Sequence, residues 1–584
     1  MTSSTICSHH RIRTVLLMCV VLLSASLHAQ AQNKETRINL NIRNATLESF
    51  VKQLENATGF SFIYGEEVKL THRITLEMKQ KNISEILQRA FENEPITFEI
   101  SGKHILLHKR PVPQKPVSRK FTISGYVTDG ASSETLIGAN ILESRRSTGT
   151  ATNPFGFYSL TLPEGETELV FSYLGYESRH SRFELTKDTL LNVRLDSNNQ
   201  LAEVVVLSDK REAGIESTAM GAHEIPMTQI RHTPSILGEA DLLKTIQLMP
   251  GVQAGMEGFA GMYVRGGGPD QNLVMLDGIP VYNADHLLGV FSIFTPEAVK
   301  NTTFFKSSFP ARYGGRLSSI VDVRTNDGDM HKYHGAFSIG LLTDKLHIEG
   351  PIWKERTSFS FSARAIPTLF FKNLIVDKDD TYSDKYNYYF YDVNAKVNHK
   401  FSDRSRIFLS FYKGKDHYHY DSYYHGDNYD NSIKNYSKDN SHLNWGNTIA
   451  YGRWNYVFNS KLFCNTTVSY NKYEMGLDGN MEDTYTVANK VQDRYYYSSK
   501  FNSGIRDWSA RMDFDYTPMP QHHIKFGAEY IHHTFRPGIA TSKIQDIDNG
   551  ALQEDTVYNT SNSHAMRGQE ISPVSYTHLR AHET

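Results

Sequence analysis

The second half of the chain, from about Tyr333 onward, alternates apolar and polar residues with a period of two. Across residues 358–365, Phe and Ala take one set of positions and Ser and Arg take the other; residues 524–530 show a similar arrangement. Because successive side chains of a β-strand point to opposite faces, this pattern predicts strands with one apolar and one polar face. The fold is therefore predicted to be mainly β.

Two architectures suit such strands, an outer-membrane barrel and a soluble sandwich. Tyrosine clusters such as YNYYFYD and RYYYSS lie at the strand ends, and residues 414–442 read as a long polar loop, as in barrels with aromatic girdles and extracellular loops. Sandwich strands usually run about five or six residues, whereas roughly ten are expected here. The pattern favours a partial transmembrane β-barrel over residues 333–571.

Composition excludes several other classes of protein. The chain has 584 residues, long enough for several domains. Lys and Arg number 62 against 64 for Asp and Glu, so the net charge is −2 and no nucleic-acid partner is expected. After the first thirty or so residues there is no apolar run long enough for a membrane-spanning helix.

Both ends of the chain look separable from the fold. Residues 1–31 contain Arg11 and Arg13, an apolar run and an A-x-A ending, the order of a secretory signal peptide. Two of the three cysteines fall in that segment, leaving Cys464 with no intrachain disulfide partner. Residues 573–584 resemble translated sequencing-adapter read-through, so we expect a sequence artefact there and a natural chain truncated near Ile571.

The first half of the chain contains three further segments. Residues 36–110 repeat a strand–helix–strand pattern twice, with Asn44 expected to cap the first helix, and predict a small α+β domain. Residues 111–120 are proline-rich and predict a linker. Residues 121–196 carry short strands between turn residues, which predicts a β-sandwich. Residues 218–330 include one helix, EADLLKTIQLM, among glycine-rich turns.

A valine-rich stretch, residues 201–210, follows the sandwich. Glu203, Val204, Val205 and Val206 have strand propensity, but no neighbouring segment offers a hairpin partner. The stretch is either the last strand of the sandwich or a strand completed by another protein.

Three motifs between residues 238 and 325 carry a resemblance to a known family. GEADLLKTIQLMPGVQ, YVRGGGPDQNLVMLDGIPVYNADHLLGVFSIF and FPARYGGRLSSIVDVR resemble, in order and spacing, the plug of TonB-dependent outer-membrane receptors of Bacteroidetes type. Residues 36–110 resemble the secretin and TonB short N-terminal domain, and residues 121–196 resemble a carboxypeptidase-regulatory-like domain. The expected architecture is multidomain and mainly β: a small α+β domain, a β-sandwich, an α+β plug and an incomplete antiparallel transmembrane β-barrel.

The resemblance implies partners and a location. Glu203–Val206 would be the TonB box, pairing with an edge strand of TonB by β-augmentation in the periplasm. The N-terminal domains would lie in the periplasm and signal to an inner-membrane anti-sigma factor, and the barrel would contact outer-membrane lipid. Family barrels close at about twenty-two strands, so residues 333–571 should form an open sheet of roughly ten to twelve strands.

The plug motifs also supply the candidate site residues. Arg265, Asp277, Arg312 and Arg316 are expected to tie the plug to the polar lumen of the barrel, although ordinary solvated charges are the alternative. The glycines are expected to form tight turns. The full set is Arg265, Gly266, Gly267, Gly268, Asp277, Gly278, Arg312, Tyr313, Gly314, Gly315 and Arg316.

Histidines form a second candidate cluster. His417, His419 and His425 alternate with acidic residues within the expected loop 414–442. A metal site is conceivable because an H-x-H strand places both rings on one face, but a solvated loop is favoured. We therefore predict no metal site and no cofactor.

The expected function is import of a scarce large solute, such as a ferric siderophore, driven by the inner-membrane proton gradient. A SusC-type glycan importer working with a surface lipoprotein is the alternative. An enzyme is not expected because no H-E-x-x-H or comparable ligand set accompanies the sandwich. A purely adhesive protein is opposed by the plug motifs, and the sequence leaves the substrate open.

Overall fold

The computed structural model describes residues 37–65, 68, 70–109, 119–146, 148–198, 221–225, 227–233, 239–255, 261–367, 376–379, 381–427, 432–519, 522–559 and 564–579. The expected signal peptide, the expected TonB box and most of the expected linker lie outside these residues. The chain divides into two compact units, Met1–Ser118 and Arg119–Thr584. Within the described ranges, none of the helices has the length and apolar character needed to cross a membrane.

The first unit is a small α+β fold. Its elements are β1 (Ile38–Thr46), α1 (Leu47–Thr58), β2 (Ser61–Tyr64), β3 (Arg73–Lys81), α2 (Ile83–Ala90), β4 (Ile96–Ser101) and β5 (His104–Lys109). Strand β1 pairs with β3, and β5 lies between β2 and β4. The helices bury their apolar faces, including Phe50 and Leu54 of α1, in one core.

The expectation that Asn44 caps α1 is wrong. Thr46 is the N-cap, and its side chain accepts a hydrogen bond from the backbone N–H of Ser49 at 3.3 Å. Asn44 instead lies in β1 at an irregularity of the pairing, with a φ of 52°. Asn is among the few residues that tolerate this left-handed conformation, which explains its presence there.

The second unit begins with the predicted β-sandwich. Its strands are β6 (Lys120–Asp129), β7 (Asn140–Glu143), β8 (Thr148–Ala151), β9 (Phe157–Pro163), β10 (Gly165–Ser172), β11 (Arg179–Leu185), β12 (Thr189–Leu190) and β13 (Val193–Leu195). One sheet has the order β11-β10-β7-β8; in the other, β6 pairs with β9, β12 and β13. Ile123, Leu169 and Phe171 are among the fully buried residues between them.

The segment predicted to be the plug, called the plug below, follows as a small α+β fold. Its elements are β14 (Ala222–Ile225), α3 (Met227–His232), α4 (Leu242–Gln247), β15 (Val252–Ala254), β16 (Met262–Val264), β17 (Asn272–Leu276), β18 (Ile279–Pro280), β19 (Asp285–His286), β20 (Phe291–Ser292), β21 (Val299–Phe305) and β22 (Ser319–Thr325). The central sheet has the order β14-β21-β22-β17-β18. Helix α4 is shorter than EADLLKTIQLM because Asp241 caps it, accepting from Lys244 N at 2.9 Å.

The rest of the chain forms one antiparallel sheet of twelve strands. They are β23 (His334–Ile339), β24 (Asp344–Trp353), β25 (Thr357–Ala365), β26 (Val376–Lys378), β27 (Tyr382–Ser402), β28 (Ser405–Asp427), β29 (Ile433–Asn459), β30 (Leu462–Val487), β31 (Lys490–Met519), β32 (His522–Asp548), β33 (Ala551–Asn559) and β34 (Met566–Leu579). In the described part of the chain β23 does not pair with β33 or β34, so the sheet is open. The predicted fold class and the ten to twelve strands are confirmed.

Two details of the strands were predicted wrongly. Strands β27 to β32 run 21 to 30 residues instead of about ten. Residues 414–442 are not a loop over most of their length, because β28 and β29 stay paired from Gly414 and Asn447 up to Asp427 and Lys434. In this part of the two strands both faces carry polar residues. The hydropathy of a strand outside the membrane therefore resembles that of a loop. Strand β34 extends through Leu579 and so includes part of residues 573–584. The assignment of those residues as a sequence artefact stays a prediction.

Candidate functional site

The polar face of the sheet packs on the plug. In β25, Ser358, Ser362 and Arg364 are buried, while Phe359 and Phe361 of the same strand face the other way. Charged side chains of the neighbouring strands are buried in the same manner: Asp392, Lys396, Arg406, Asp416 and Arg453. A buried charge needs a partner, so these residues mark where the plug is held.

Lys396 is the centre of one buried charge network. Its Nζ lies 3.2 Å from Asp277 Oδ1 and 3.0 Å from Asp327 Oδ1, and it donates to the Thr325 carbonyl at 3.0 Å. Arg453 of the sheet donates to the backbone carbonyl of Asp277 at 2.5 Å. Burial opposes ionisation of Asp277, but these cations outweigh it and hold the pKa of the carboxyl below its usual range.

The same network reaches the sandwich through Lys300. Lys300 Nζ lies 2.9 Å from Asp327 Oδ2 and 3.6 Å from Glu134 Oε2, and Glu134 belongs to the sandwich. Glu134 also accepts hydrogen bonds from the backbone N–H groups of Asp327 and Gly328. Lys396, Asp277, Asp327, Lys300 and Glu134 thus join the sandwich, the plug and the sheet in one charge network. Removing either lysine leaves three carboxylates with a single lysine partner, which is costly in a buried site.

His286 is the centre of a second buried cluster. Its Nδ1 lies 2.7 Å from Asp416 Oδ2 and its Nε2 lies 2.9 Å from Asp392 Oδ1. Carboxylates only accept, so both ring nitrogens must donate and the ring is the imidazolium. Phe390 stacks on the ring at 4.2 Å, and Arg364 balances the second carboxylate at 2.6 Å.

Two plug residues in this cluster have perturbed pKa values. Burial would lower the pKa of His286, but the Asp392 and Asp416 carboxylates outweigh it and raise the pKa to about 9. Burial, together with the negative charge of Asp241, raises the pKa of Asp285 to about 7. Each shift makes the folded plug hold a proton that the unfolded chain releases at lower pH.

The stability of the plug is therefore expected to fall as pH rises. Stabilisation from His286 is complete below about pH 6.5 and is lost as pH rises through about 9; at about 1.4 kcal/mol per pKa unit, its full size is about 3 kcal/mol. Asp285 adds a decrease between about pH 4 and 7. Urea titrations of the purified protein, followed by tryptophan fluorescence from pH 4 to 10, measure both.

Two variants separate these effects. Asp285→Asn should remove the decrease below pH 7 and leave the one above it. His334→Gln is the control, since His334 also pairs with a carboxylate, Asp329, but leaves 53% of its side chain exposed. A curve that is flat between pH 7 and 10 in the parent protein would contradict the imidazolium assignment.

The structure brings some of the predicted site residues to the sheet and keeps others within the plug. Asp277 joins the Lys396 network, and Arg312 lies 3.7 Å from Asp513 of β31. Arg265 instead donates to Ser307 Oγ at 2.6 Å, and Arg316 donates to the neighbouring Gly315 carbonyl. Arg265 and Arg316 therefore donate these hydrogen bonds to other plug residues and not to the sheet. A role for any of the four as ties between plug and barrel stays a prediction.

The glycine-rich motifs differ in their backbone requirements. Gly266, Gly278 and Gly315 have φ values of 83°, 84° and 75°, which favour glycine, whereas Gly267, Gly268 and Gly314 do not need that freedom. Tyr313 is buried and donates to Asp322 at 3.3 Å. Tyr313, Gly314 and Gly315, with Arg312 and Arg316, line a cavity of about 170 Å³ between the plug and strands β30, β31, β32 and β34.

Sequence reasoning missed six members of the two charge clusters: Glu134, His286, Lys300, Asp327, Asp392 and Lys396. One signal was available in β27. Asp392, Asn394, Lys396 and Asn398 occupy alternate positions opposite Val393, Ala395 and Val397, so the strand shows a polar face with two charges of opposite sign. Which plug residues those charges meet is a matter of tertiary structure.

The sandwich also has an apolar contact with the sheet. Phe155 and Phe157 stack on Phe463 of β30, with ring centroids 5.5 and 5.0 Å apart. Ser159 Oγ donates to the Ser460 carbonyl at 2.8 Å, in the turn between β29 and β30. The sandwich therefore sits at the end of the sheet where the strands are joined by short turns.

The histidine cluster lies in paired strands. His419 of β28 stacks on His442 of β29 with centroids 4.0 Å apart, and its Nε2 pairs with Asp421. Among the described residues, no group of three or more His, Cys, Asp and Glu side chains is placed to hold a metal ion.

Two segments match known protein families. Residues 123–206 match the CarboxypepD_reg-like domain, and residues 217–319 match the TonB-dependent Receptor Plug Domain. A curated relative is the TonB-dependent receptor SusC of Bacteroides thetaiotaomicron, 24% identical over 229 residues. The match covers 36% of this chain and 21% of SusC, so the chain spans about a fifth of the relative it matches.

Three solved receptor structures align with parts of this chain. The siderophore receptor PirA from Acinetobacter baumannii is 10% identical, with a TM-score of 0.28 over 60% of this chain and 75% of PirA. The ferric yersiniabactin uptake receptor FyuA from Yersinia pestis is 11% identical, with a TM-score of 0.28 over 61% and 60%. The ferripyoverdine receptor of Pseudomonas aeruginosa is 9% identical, with a TM-score of 0.28 over 88% and 70%.

The matched plug, seated on the polar face of an antiparallel sheet, defines the class of protein as a plugged outer-membrane receptor. Residues 217–319 form a plug domain of the TonB-dependent receptor type, and a carboxypeptidase-regulatory-like domain precedes it. The predicted plug domain, the predicted carboxypeptidase-regulatory-like domain and the predicted outer-membrane location are confirmed.

Proposed function

We propose that this receptor imports a scarce solute too large for porins, such as a ferric siderophore, using the inner-membrane proton gradient. The observation that supports this is the way the plug is held. Buried ion pairs around Lys396 and His286 fix it to the sheet, and such pairs are strong while complete and weak once one partner moves. A plug held in this manner can be released by a modest displacement.

The displacement would come from TonB in the periplasm. Glu203, Val204, Val205 and Val206 would pair with an edge strand of TonB, because main-chain hydrogen bonds along a strand can transmit a pull. The carboxypeptidase-regulatory-like match runs through residue 206, so the last strand of the sandwich remains the competing role for this segment.

The first unit would add signalling to transport. Residues 36–110 would lie in the periplasm and report occupancy of the receptor to an inner-membrane anti-sigma factor. Their fold, two strand–helix–strand repeats with a common core, is compact enough to be an independent binding module. Removal of residues 36–110 should then leave import intact and abolish induction of the receptor's own gene.

A SusC-type glycan importer that works with a surface lipoprotein is the alternative. The partial match to SusC favours it, while the plug text NLVMLDGIPVYNADHLLGVFSIF favours the first proposal. Copurification of a lipoprotein with the receptor would support the alternative.

Growth of a deletion strain distinguishes the two substrates. We expect loss of the gene to slow growth at least ten-fold in chelator-limited iron, with normal growth on limiting glycans, and an uncoupler of the proton gradient should abolish uptake of ⁵⁵Fe-chelate by the complemented strain. If the deletion strain grows normally on limiting iron but fails to grow on a glycan, the SusC-type glycan importer becomes the supported function. Uptake that is insensitive to the uncoupler would overturn both.

A further inference from the structure

The strands β28 to β32 have an outer face that points away from the plug. Asn471 donates to the Pro280 carbonyl at 2.6 Å, Asp507 pairs with Tyr282, and Asp416 pairs with His286, so these residues face the plug. Their chain neighbours Lys415, Lys472 and Arg506 must therefore lie on the outer face, because side chains alternate along a strand.

The outer face begins with an uncharged band at the turn end of the strands. In β28 it runs through Ile407, Leu409 and Phe411. In β30 it runs through Thr466, Val468 and Tyr470, and in β31 through Met512, Ala510 and Trp508. Leu409, Val468 and Trp508 leave 58, 52 and 54% of their surface exposed, which suits contact with lipid chains.

Cations appear directly above this band. The first charged outer residues are Lys413 in β28, Lys472 in β30 and Arg506 in β31. They share one row of the sheet, because Lys413 and Lys472 both pair with Thr448, and Lys472 pairs with Arg506. Lys415 and Arg536 lie one row further from the band. These five residues are called the basic outer patch.

The basic outer patch lines a cavity of about 620 Å³. Glu474 and Asp478 are the acidic side chains of the lining; Glu474 pairs with Lys472 at 2.5 Å, and Asp478 lies 3.7 Å from Lys500, outside the patch. Five cations against two carboxylates leave an excess of positive charge. The Nε of Arg506, a lining residue, is buried without a hydrogen-bond partner, so one donor of the patch is unsatisfied within the protein.

We propose that the basic outer patch binds the phosphate groups of a phosphorylated glycolipid of the outer leaflet. The turn end carries the sandwich and is periplasmic, so the row above the uncharged band lies at the opposite, outer surface. Lys and Arg next to an aromatic and aliphatic band meet lipid phosphates at the headgroup level, and charge-assisted hydrogen bonds to phosphate are strong. This inference rests on the outer-membrane location and is independent of the transported solute.

The test compares two triple variants of the receptor purified in detergent from its native outer membrane. Lys413→Gln/Lys472→Gln/Arg506→Gln removes three charges from the patch. Lys354→Gln/Lys400→Gln/Lys461→Gln removes three charges at the turn end of the same sheet and is the matched control. Each protein is titrated with a fluorescent bisphosphorylated glycolipid, with the same lipid after phosphatase treatment, and with inorganic phosphate as competitor.

We expect the patch variant to bind the bisphosphorylated lipid at least ten-fold more weakly than the parent, and the control variant to bind it equally well. The phosphatase-treated lipid should bind the parent as weakly as the patch variant binds the intact lipid. A Lys413→Arg/Lys472→Arg variant should retain binding because it retains the charge. Equal binding of the glycolipid by all variants would overturn the proposal. Displacement of the glycolipid by millimolar inorganic phosphate would also overturn it, because the ligand would then be a soluble anion.

Discussion

Proline at Val205 is expected to reduce energised uptake at least ten-fold while leaving the receptor in the outer membrane. Proline has no backbone N–H and cannot occupy the centre of a paired strand, so a strand added to TonB would lose its central hydrogen bonds. The measurement is uptake of a labelled chelate by cells that carry Val205→Pro, normalised to the amount of receptor in isolated outer membranes.

Val205→Thr is the matched control because threonine is β-branched and keeps the N–H; it should support uptake close to that of the parent. The alternative role of the segment gives a different result. If residues 203–206 are only the last strand of the sandwich, Val205→Pro should increase proteolysis of the sandwich, with uptake unchanged per intact receptor. That outcome would refute the TonB-box assignment.

Lys396→Met is expected to loosen the plug by about 3–5 kcal/mol. The substitution keeps a long side chain but leaves the Asp277 and Asp327 carboxylates facing each other without their shared cation. Amide hydrogen exchange in β17 and β22, measured by mass spectrometry on the receptor from native outer membranes, reports the change. The exchange should rise by at least two orders of magnitude.

Lys400→Met is the control for this prediction. Lys400 lies four residues along β27 and pairs with Asp403 at 2.6 Å, but 29% of its side chain is exposed, so its loss should change exchange little. Adding Asp277→Asn and Asp327→Asn to Lys396→Met should recover part of the protection, since no charge is then left unpaired. Equal exchange in Lys396→Met and Lys400→Met would show that the network does not hold the plug.

The sequence predicted a mainly β fold with a plug and an antiparallel sheet, because these features depend on local pattern. The alternation of apolar and polar residues in β25 and β32 indicates two different faces, whatever each face packs against. The plug motifs are continuous stretches of sequence, so they are recognisable without a structure. The positions at which the strands end were harder to predict from the sequence. Polar pairs such as His419 with His442 extend β28 and β29 beyond the apolar band, and hydropathy gives no sign of them.

The candidate site was only partly predictable for a related reason. His286 meets Asp392 and Asp416, which follow it by 106 and 130 residues, so no spacing in the sequence connects them. Asp277 and Arg312 were accessible because they stand in recognisable motifs. Glu134 was missed because its partners belong to a different domain, and only the fold brings them together.

The seating of the sandwich on Phe463 has a mechanical consequence. Residues 203–206 lie between the last described strand of the sandwich, β13, and the first strand of the plug, β14. A partner that binds these residues from the periplasm and pulls on them would apply force to two domains at once. One is the sandwich, which stacks on the sheet through Phe155 and Phe157, and the other is the plug. A single pull would then displace both the sandwich at the turn end of the sheet and the plug inside the pore.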